Sequence, residues 1–94
     1  MKATWRRRVI ADSATTREMH GYRYFPREAV RMDMLRLSRK TKVEEACPHG
    51  VRFYDVVDGD KHARRAAWSY LAPHGAMKRI DHWVAFWDDV RVAP

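Results

Sequence analysis

Val51-Arg52-Phe53-Tyr54-Asp55-Val56-Val57-Asp58-Gly59 is the stretch whose reading decides the fold. Its first seven residues are rich in β-branched and aromatic side chains, which suit a pleated, half-buried surface. Asp58-Gly59 closes the run with a short-range hairpin signal. The return strand is expected over Lys61 to Tyr70, ending in Ala66-Ala67-Trp68-Ser69-Tyr70-Leu71-Ala72-Pro73. A long antiparallel hairpin is therefore the centre from which the rest is read.

On the N-terminal side, Trp5 to Ser13 begins basic and turns apolar at Val9-Ile10, with Thr15 to His20 as its expected hairpin partner. Tyr22-Arg23-Tyr24-Phe25 reads as a strand stopped by Pro26. Pro26 to Val30 suits one helical turn, since proline is tolerated at a first helical position. Val30, Met32 and Met34 alternate, while Met34, Leu35 and Leu37 fit a helix equally well, so the pattern leaves both open. Ser38 to Lys42 is a polar, basic loop. Past the hairpin, Gly75 to Ile80 is a short helix candidate. His82-Trp83-Val84-Ala85-Phe86-Trp87 is apolar on both alternating faces, as for a strand between two layers or with one face on a ligand cavity. Asp88-Asp89 turns the chain into Val90-Arg91-Val92. Roughly seven short strands with one or two helical turns must close on themselves or pack as two sheets.

Composition narrows the class. The 94 residues make one domain (1–94) with a single modest core, to which 12% aromatic residues must contribute heavily. Nineteen Lys and Arg against 12 Asp and Glu give a net charge of +7, which favours polyanions at long range. Cys47 is the only cysteine, so no internal disulfide can form and a reducing compartment is the default. No apolar run approaches the roughly 20 residues that span a bilayer. The arginine-bearing start lacks an apolar leader core, and the expectation is a soluble cytoplasmic protein with no membrane association.

Several segments carry a resemblance when taken together. Val9-Ile10-Ala11-Asp12-Ser13, Tyr24-Phe25-Pro26-Arg27-Glu28, Cys47-Pro48, Phe53-Tyr54, Ala67-Trp68-Ser69-Tyr70 and Val84-Ala85-Phe86-Trp87 resemble, in order, the bacterial family called domain of unknown function 427. The similarity runs from about residue 9 to 92. It implies a mainly β fold of two antiparallel sheets meeting at an angle, the β-tent or Mss4-like arrangement. The family also bears the label nucleotidyltransferase-like. Members usually follow Cys-Pro with an aromatic, then Lys-Gly. Here Cys47-Pro48-His49-Gly50-Val51-Arg52 is shorter and lacks that lysine, with Arg52 as an imperfect substitute because a planar fork is not a point charge. Ala29 stands where an acidic residue is common.

The residues singled out for chemistry are Trp68, Tyr70, Tyr54, Phe53, Cys47 and Arg52. Rings on paired strands can wall a pocket that stacks a flat or cationic group, although rings also dominate ordinary cores. Cys47 beside His49 offers a nucleophile and a base, but adjacency in sequence is not how a base usually reaches a thiol. Cys47, His49, His74 and His82 offer possible zinc ligands, without the paired cysteine knuckles that structural sites use. Asp58 and Asp60 have the spacing of a Mg²⁺-holding carboxylate pair, and a hairpin turn explains them more simply. Arg6-Arg7-Arg8, Arg39-Lys40-Lys42, Arg64-Arg65 and Lys78-Arg79 are scattered basic groups.

The resulting expectation is a small-molecule binding module with an aromatic-lined pocket between two sheets. Its partner is an unidentified small molecule, and no metal and no cofactor is expected. The alternatives are an enzyme, nucleotidyltransferase-like or dependent on Cys47, and a weak, salt-sensitive nucleic-acid binder.

Overall fold

A computed structural model describes Met1 to Pro94. Its nine strands are β1 (Lys2–Trp5), β2 (Arg8–Asp12), β3 (Arg17–Met19), β4 (Tyr22–Phe25), β5 (Leu35–Leu37), β6 (Val51–Asp58), β7 (Lys61–Tyr70), β8 (Val84–Phe86) and β9 (Arg91–Ala93). They form two antiparallel sheets, one of three strands in the order β2-β1-β9 and one of six in the order β3-β4-β8-β7-β6-β5. One four-residue helix, α1 (Lys42–Glu45), and three 3₁₀ turns complete the chain. This is the mainly β, two-sheet architecture that the hairpin and its flanks imply. No helix is long and apolar enough to cross a membrane.

The central hairpin folds as its sequence dictates. Val51 pairs with Tyr70 and Asp58 with Lys61, so Gly59-Asp60 forms a two-residue loop. The ladder is interrupted once, where Asp55 of β6 faces Arg64, Arg65 and Ala66 of β7 between the Tyr54–Ala67 and Val56–Ala63 pairs. Arg65 sits at a φ of 55° in this bulge, and its backbone N–H donates to an Asp55 carboxylate oxygen at 2.9 Å. A bulge of this kind re-aims side chains and sharpens the local twist. The 3₁₀ turns at Arg27–Ala29 and Gly75–Ile80 fall on the two helical segments expected there. The undecided methionine stretch resolves into a 3₁₀ turn, Met32–Met34, leading into β5.

One local pairing fails and one short helix goes unforeseen, each for an identifiable reason. Thr15 to His20 does not pair with Trp5 to Ser13. β2 pairs instead with β1, and β3 with β4 across His20-Gly21. The β1–β2 loop is Arg6-Arg7, with both residues at positive φ (51° and 67°), the backbone of a type I′ turn. Nothing in that arginine pair signals a turn, because the conformation normally draws Asn and Gly. The polar loop Ser38 to Lys42 runs directly into a helix not expected from the pattern, α1, capped at Thr41. The Thr41 hydroxyl accepts from the Glu44 N–H and the Glu44 carboxylate accepts from the Thr41 N–H, both at 3.2 Å. That Thr-x-x-Glu box is a helix start readable in sequence.

The space between the sheets is filled. Ala3, Trp5, Ile10 and Ala11 of the small sheet meet Phe25, Val56, Ala63, Ala66, Ala67, Val84 and Phe86 of the large one. Small side chains on β7 give Ile10 and Trp5 room to enter, and complete burial of an Ile, Val or Phe contributes about 1.5–3 kcal/mol each. β8 is buried at all three positions because it lies centrally, between β4 and β7. Since successive side chains alternate, its inward Val84 and Phe86 leave Ala85 on the outer face of the large sheet.

The strained first loop yields a direct test. A non-glycine residue in the left-handed region costs roughly 1–2 kcal/mol, offset in glycine by a larger loss of backbone entropy. Arg7→Gly is expected to raise stability by about 0.5–1 kcal/mol, read from the midpoint of urea unfolding at unchanged slope. Destabilisation by that variant would mean that the Arg7 side chain contributes an interaction outweighing its backbone strain.

Candidate functional site

The outer face of the large sheet carries a row of residues fixed by strand register. Tyr24 of β4 lies opposite Ala85 of β8, Ala85 opposite Trp68 of β7, and Trp68 opposite Phe53 of β6. Two residues further along their strands, Tyr22 and Tyr70 take the same face, and Trp87 follows just beyond β8. Neighbouring strands are about 4.8 Å apart, so Tyr24 and Trp68 stand roughly 10 Å apart at the backbone with only a methyl group between. They meet over it. The Trp68 indole N–H donates to the Tyr24 hydroxyl at 3.1 Å, and the rings cross edge to face at 6.1 Å and 89°. Both side chains are buried, at 5% and 2% exposure.

The rings do not fill the space above the row. His20, Tyr22, Tyr24, Phe53, Trp68, Tyr70 and Trp87 line an open cleft of about 210 Å³. Tyr22 and Trp87 form its rim and are 38% and 43% exposed. Each is nevertheless held by Trp68, Tyr22 edge-on at 4.8 Å and Trp87 at 5.4 Å and 75°. Trp87 is anchored further, its indole N–H donating to the Arg65 carbonyl at 2.7 Å. The Arg65 guanidinium lies over the Phe53 ring at 4.4 Å from its centroid, a cation–π contact. His20 enters at the tight β3–β4 loop, with φ values of 53° at His20 and 86° at Gly21.

The cleft is electrically quiet. Burial pushes the Tyr24 phenol up to about 12, although the Trp68 hydrogen bond acts in the opposite direction. Burial likewise raises Tyr70, and the neighbouring Cys47 adds to the shift because a thiolate there would oppose a phenolate. Both phenols therefore stay neutral at physiological pH. At the Tyr70 end, the His49 and His74 rings lie 5.7 Å apart, with the His49 ring 6.1 Å from Tyr70. His49 Nδ1 accepts the His74 backbone N–H at 3.0 Å. Gly50 closes this corner at a φ of 64°. A Cβ there would stand 3.3 Å from both the Ala72 backbone nitrogen and its Cβ.

Of the residues singled out from sequence, Trp68, Tyr70 and Phe53 come together in the cleft. Cys47 is half-buried and packs against the cluster formed by Tyr24 and Trp68. Tyr54 and Arg52 alternate with Phe53 and so take the inner face. Tyr54 joins the inter-sheet core, where its hydroxyl accepts from Arg27 Nη2 at 2.9 Å. Arg27 also donates to the His82 carbonyl at 2.9 Å, which ties the turn after Pro26 to the approach of β8. The cleft thus lies on the outside of the large sheet, whereas the pocket was expected between the sheets. That inner space is occupied by core side chains.

Other candidate chemistries are dispersed. Asp58 pairs with Arg8 at 3.3 Å, and His82 contacts Asp81 at 2.5 Å. No three of the His, Cys, Asp and Glu side chains gather where they would hold a metal ion. Reading from sequence missed His20, Tyr22, Tyr24 and Trp87. The alternation of Tyr22 with Tyr24 and the second apolar face of His82 to Trp87 signal the three aromatic residues, while nothing in the sequence signals His20.

The raised phenol has a measurable consequence. A group whose folded pKa exceeds its unfolded value stabilises the fold fully below the unfolded value and loses that contribution as pH climbs through the folded one. Tyr24, ordinarily near 10 and here about 12, should contribute stability that disappears between those limits. Alkaline absorbance titration should show a late phenolate step that Tyr24→Phe removes. A Tyr24 phenolate forming near pH 10 in the folded protein would contradict the buried geometry.

No curated protein matches this chain. The model of one family matches residues 1–93, nearly the whole sequence. With its Tyr-Phe-Pro, Cys-Pro and Trp-Ser-Tyr segments all placed in one two-sheet fold, the chain belongs to the family described as Domain of unknown function (DUF427).

Proposed function

We propose that this protein is a small-molecule binding module that holds one flat ring system in the outer aromatic cleft. The observation that carries this reading is the convergence of six aromatic rings around a space of about 210 Å³ that they leave open. A core made of the same residues would close over itself. Tyr22 and Trp87 carry the apolar lining out to a water-facing rim, and contiguous exposed apolar surface of this kind is what interaction sites present. The opening is smaller than the roughly 300–1,000 Å³ of drug-sized pockets, which favours a one- or two-ring ligand.

The recognition chemistry follows from the lining. The Trp68 N–H is already spent on Tyr24, and the Trp87 N–H on the Arg65 carbonyl. The rings therefore offer faces and edges for stacking, with the neutral Tyr24 and Tyr70 hydroxyls and the His20 imidazole as polar handles. Stacking in such a site is tolerant of ring identity, since every aromatic has a face. Because the rings interlock through Trp68 and are held from outside by Arg65, the cleft is pre-organised, which lowers the ordering cost of binding.

The test uses the indole resonances as reporters. Titration with indole and with adenosine should shift the Trp68 and Trp87 side-chain N–H signals, while Trp5, in the inter-sheet core, stays still. Trp87→Ala should weaken binding about tenfold or more, in line with about 1–3 kcal/mol per stacked ring. Its fold should persist, because Trp87 is only partly buried. Shifts spread over all four tryptophans, or none at all, would count against a ring site here.

A further inference from the structure

A second hollow of about 220 Å³ adjoins the aromatic cleft and differs from it in every chemical respect. It is lined by Ser38, Arg39, Asp55, Arg64 and Arg65 and contains no apolar residue. The β7 bulge creates it, because the two extra residues opposite Asp55 turn Arg64 and Arg65 towards the loop after β5. Arg65 is tied into the scaffold through both ends of its fork. It donates to Ser38 Oγ at 3.0 Å and to the Arg39 carbonyl at 3.2 Å, and its remaining fork pairs with Glu44 of α1. Asp55 is occupied as well, with one carboxylate oxygen accepting the Arg65 backbone N–H. Arg39 and Arg64 remain. Both are exposed, and neither takes part in any of the protein's five ion pairs.

The two hollows share a wall. Arg65 lies over Phe53, which lines the aromatic cleft, and its carbonyl fixes Trp87 at the cleft's rim. Arg65 thus borders the cleft on one side and lines the hollow that holds Arg39 and Arg64 on the other. We infer that the ligand of the aromatic cleft is a ring bearing an oxyanion, a phosphate or a carboxylate, which Arg39 and Arg64 receive in the adjoining polar hollow. This rests on the binding function proposed above and specifies its ligand class. Guanidinium groups suit the purpose because their planar forks match both oxyanions. The strained, αL Arg65 is then explained, since strain of this kind is kept where surrounding contacts over-determine it and clusters at functional sites.

The experiment compares two ligand pairs on the whole protein: indole with indole-3-acetate, and adenosine with adenosine 5′-monophosphate. At low salt the anionic member of at least one pair should bind about three- to tenfold more tightly, as two exposed charge contacts would give. That gap should shrink as ionic strength rises. It should close in the Arg39→Gln/Arg64→Gln variant and persist in Lys2→Gln/Arg91→Gln, which removes equal charge from the small sheet. A gap in one pair alone supports the inference and identifies the oxyanion. Equal affinity within both pairs, or a gap that closes equally in both variants, overturns the polar hollow and leaves the cleft standing. Failure of all four probes to bind overturns the cleft and the hollow together.

Discussion

One hydrogen bond across one methyl group organises the outer aromatic face of this protein. Trp68 and Tyr24 belong to strands that do not touch, because β8 runs between them. They can join only because the residue between is Ala85. A larger side chain there would hold the rings apart, and the indole N–H and phenol would each lose a buried partner, at a cost of about 1–3 kcal/mol per group. With Ala85 in place, the two rings lean together over the sheet. Tyr22, Phe53 and Trp87 then take their positions from Trp68, each within 6.0 Å of it between centroids. The open cleft is what these interlocked rings leave uncovered.

The two faces of the large sheet divide the work of the chain. The inner face uses small and branched residues, so that the three-stranded sheet can approach and supply Trp5 and Ile10. The outer face is covered only in part, by Ile80 and Met77 of the Gly75–Ile80 turn and by Cys47, and over the rest aromatic rings shield one another. Trp68 is accordingly core and cleft wall at once: 5% exposed, yet lining the open cleft. The bulge at Asp55 links this face to the charged hollow beside it, since the same Arg65 steadies Trp87, covers Phe53 and is tethered by Glu44. The capping box at Thr41 holds Glu44 in place for that tether.

Much of this was legible in sequence, and the rest was hidden for physical reasons. The β6–β7 hairpin, the strand at Tyr22 to Phe25 and the doubly apolar β8 follow from period-two patterning and turn chemistry. The grouping of Phe53 with Trp68 and Tyr70 follows from the hairpin. The pairing of β4 with β8 does not, because it joins residues about sixty apart through short strands with no local signal. Without that pairing Tyr24 and Trp68 have no evident connection, and a pocket between the sheets is the simpler reading of the same residues. Tyr54 illustrates the same limit. It follows Phe53 directly, but alternation sends it to the opposite face, where its hydroxyl is satisfied by Arg27. The Arg6-Arg7 loop escaped because two arginines in the left-handed region are not a turn signature.

Hydrogen exchange at the tryptophan side chains tests the organising bond most directly. Trp68 Nε1–H, buried and bonded to Tyr24, should exchange slowly in the native protein. Tyr24→Phe removes the accepting oxygen and leaves ring volume nearly unchanged. It should speed exchange at Trp68 and shift the Trp87 indole signal that packs against it, with the Trp5 signal in the other core unaffected. Unchanged protection of the Trp68 indole in Tyr24→Phe would show that the cleft is held open by something other than the bond across Ala85.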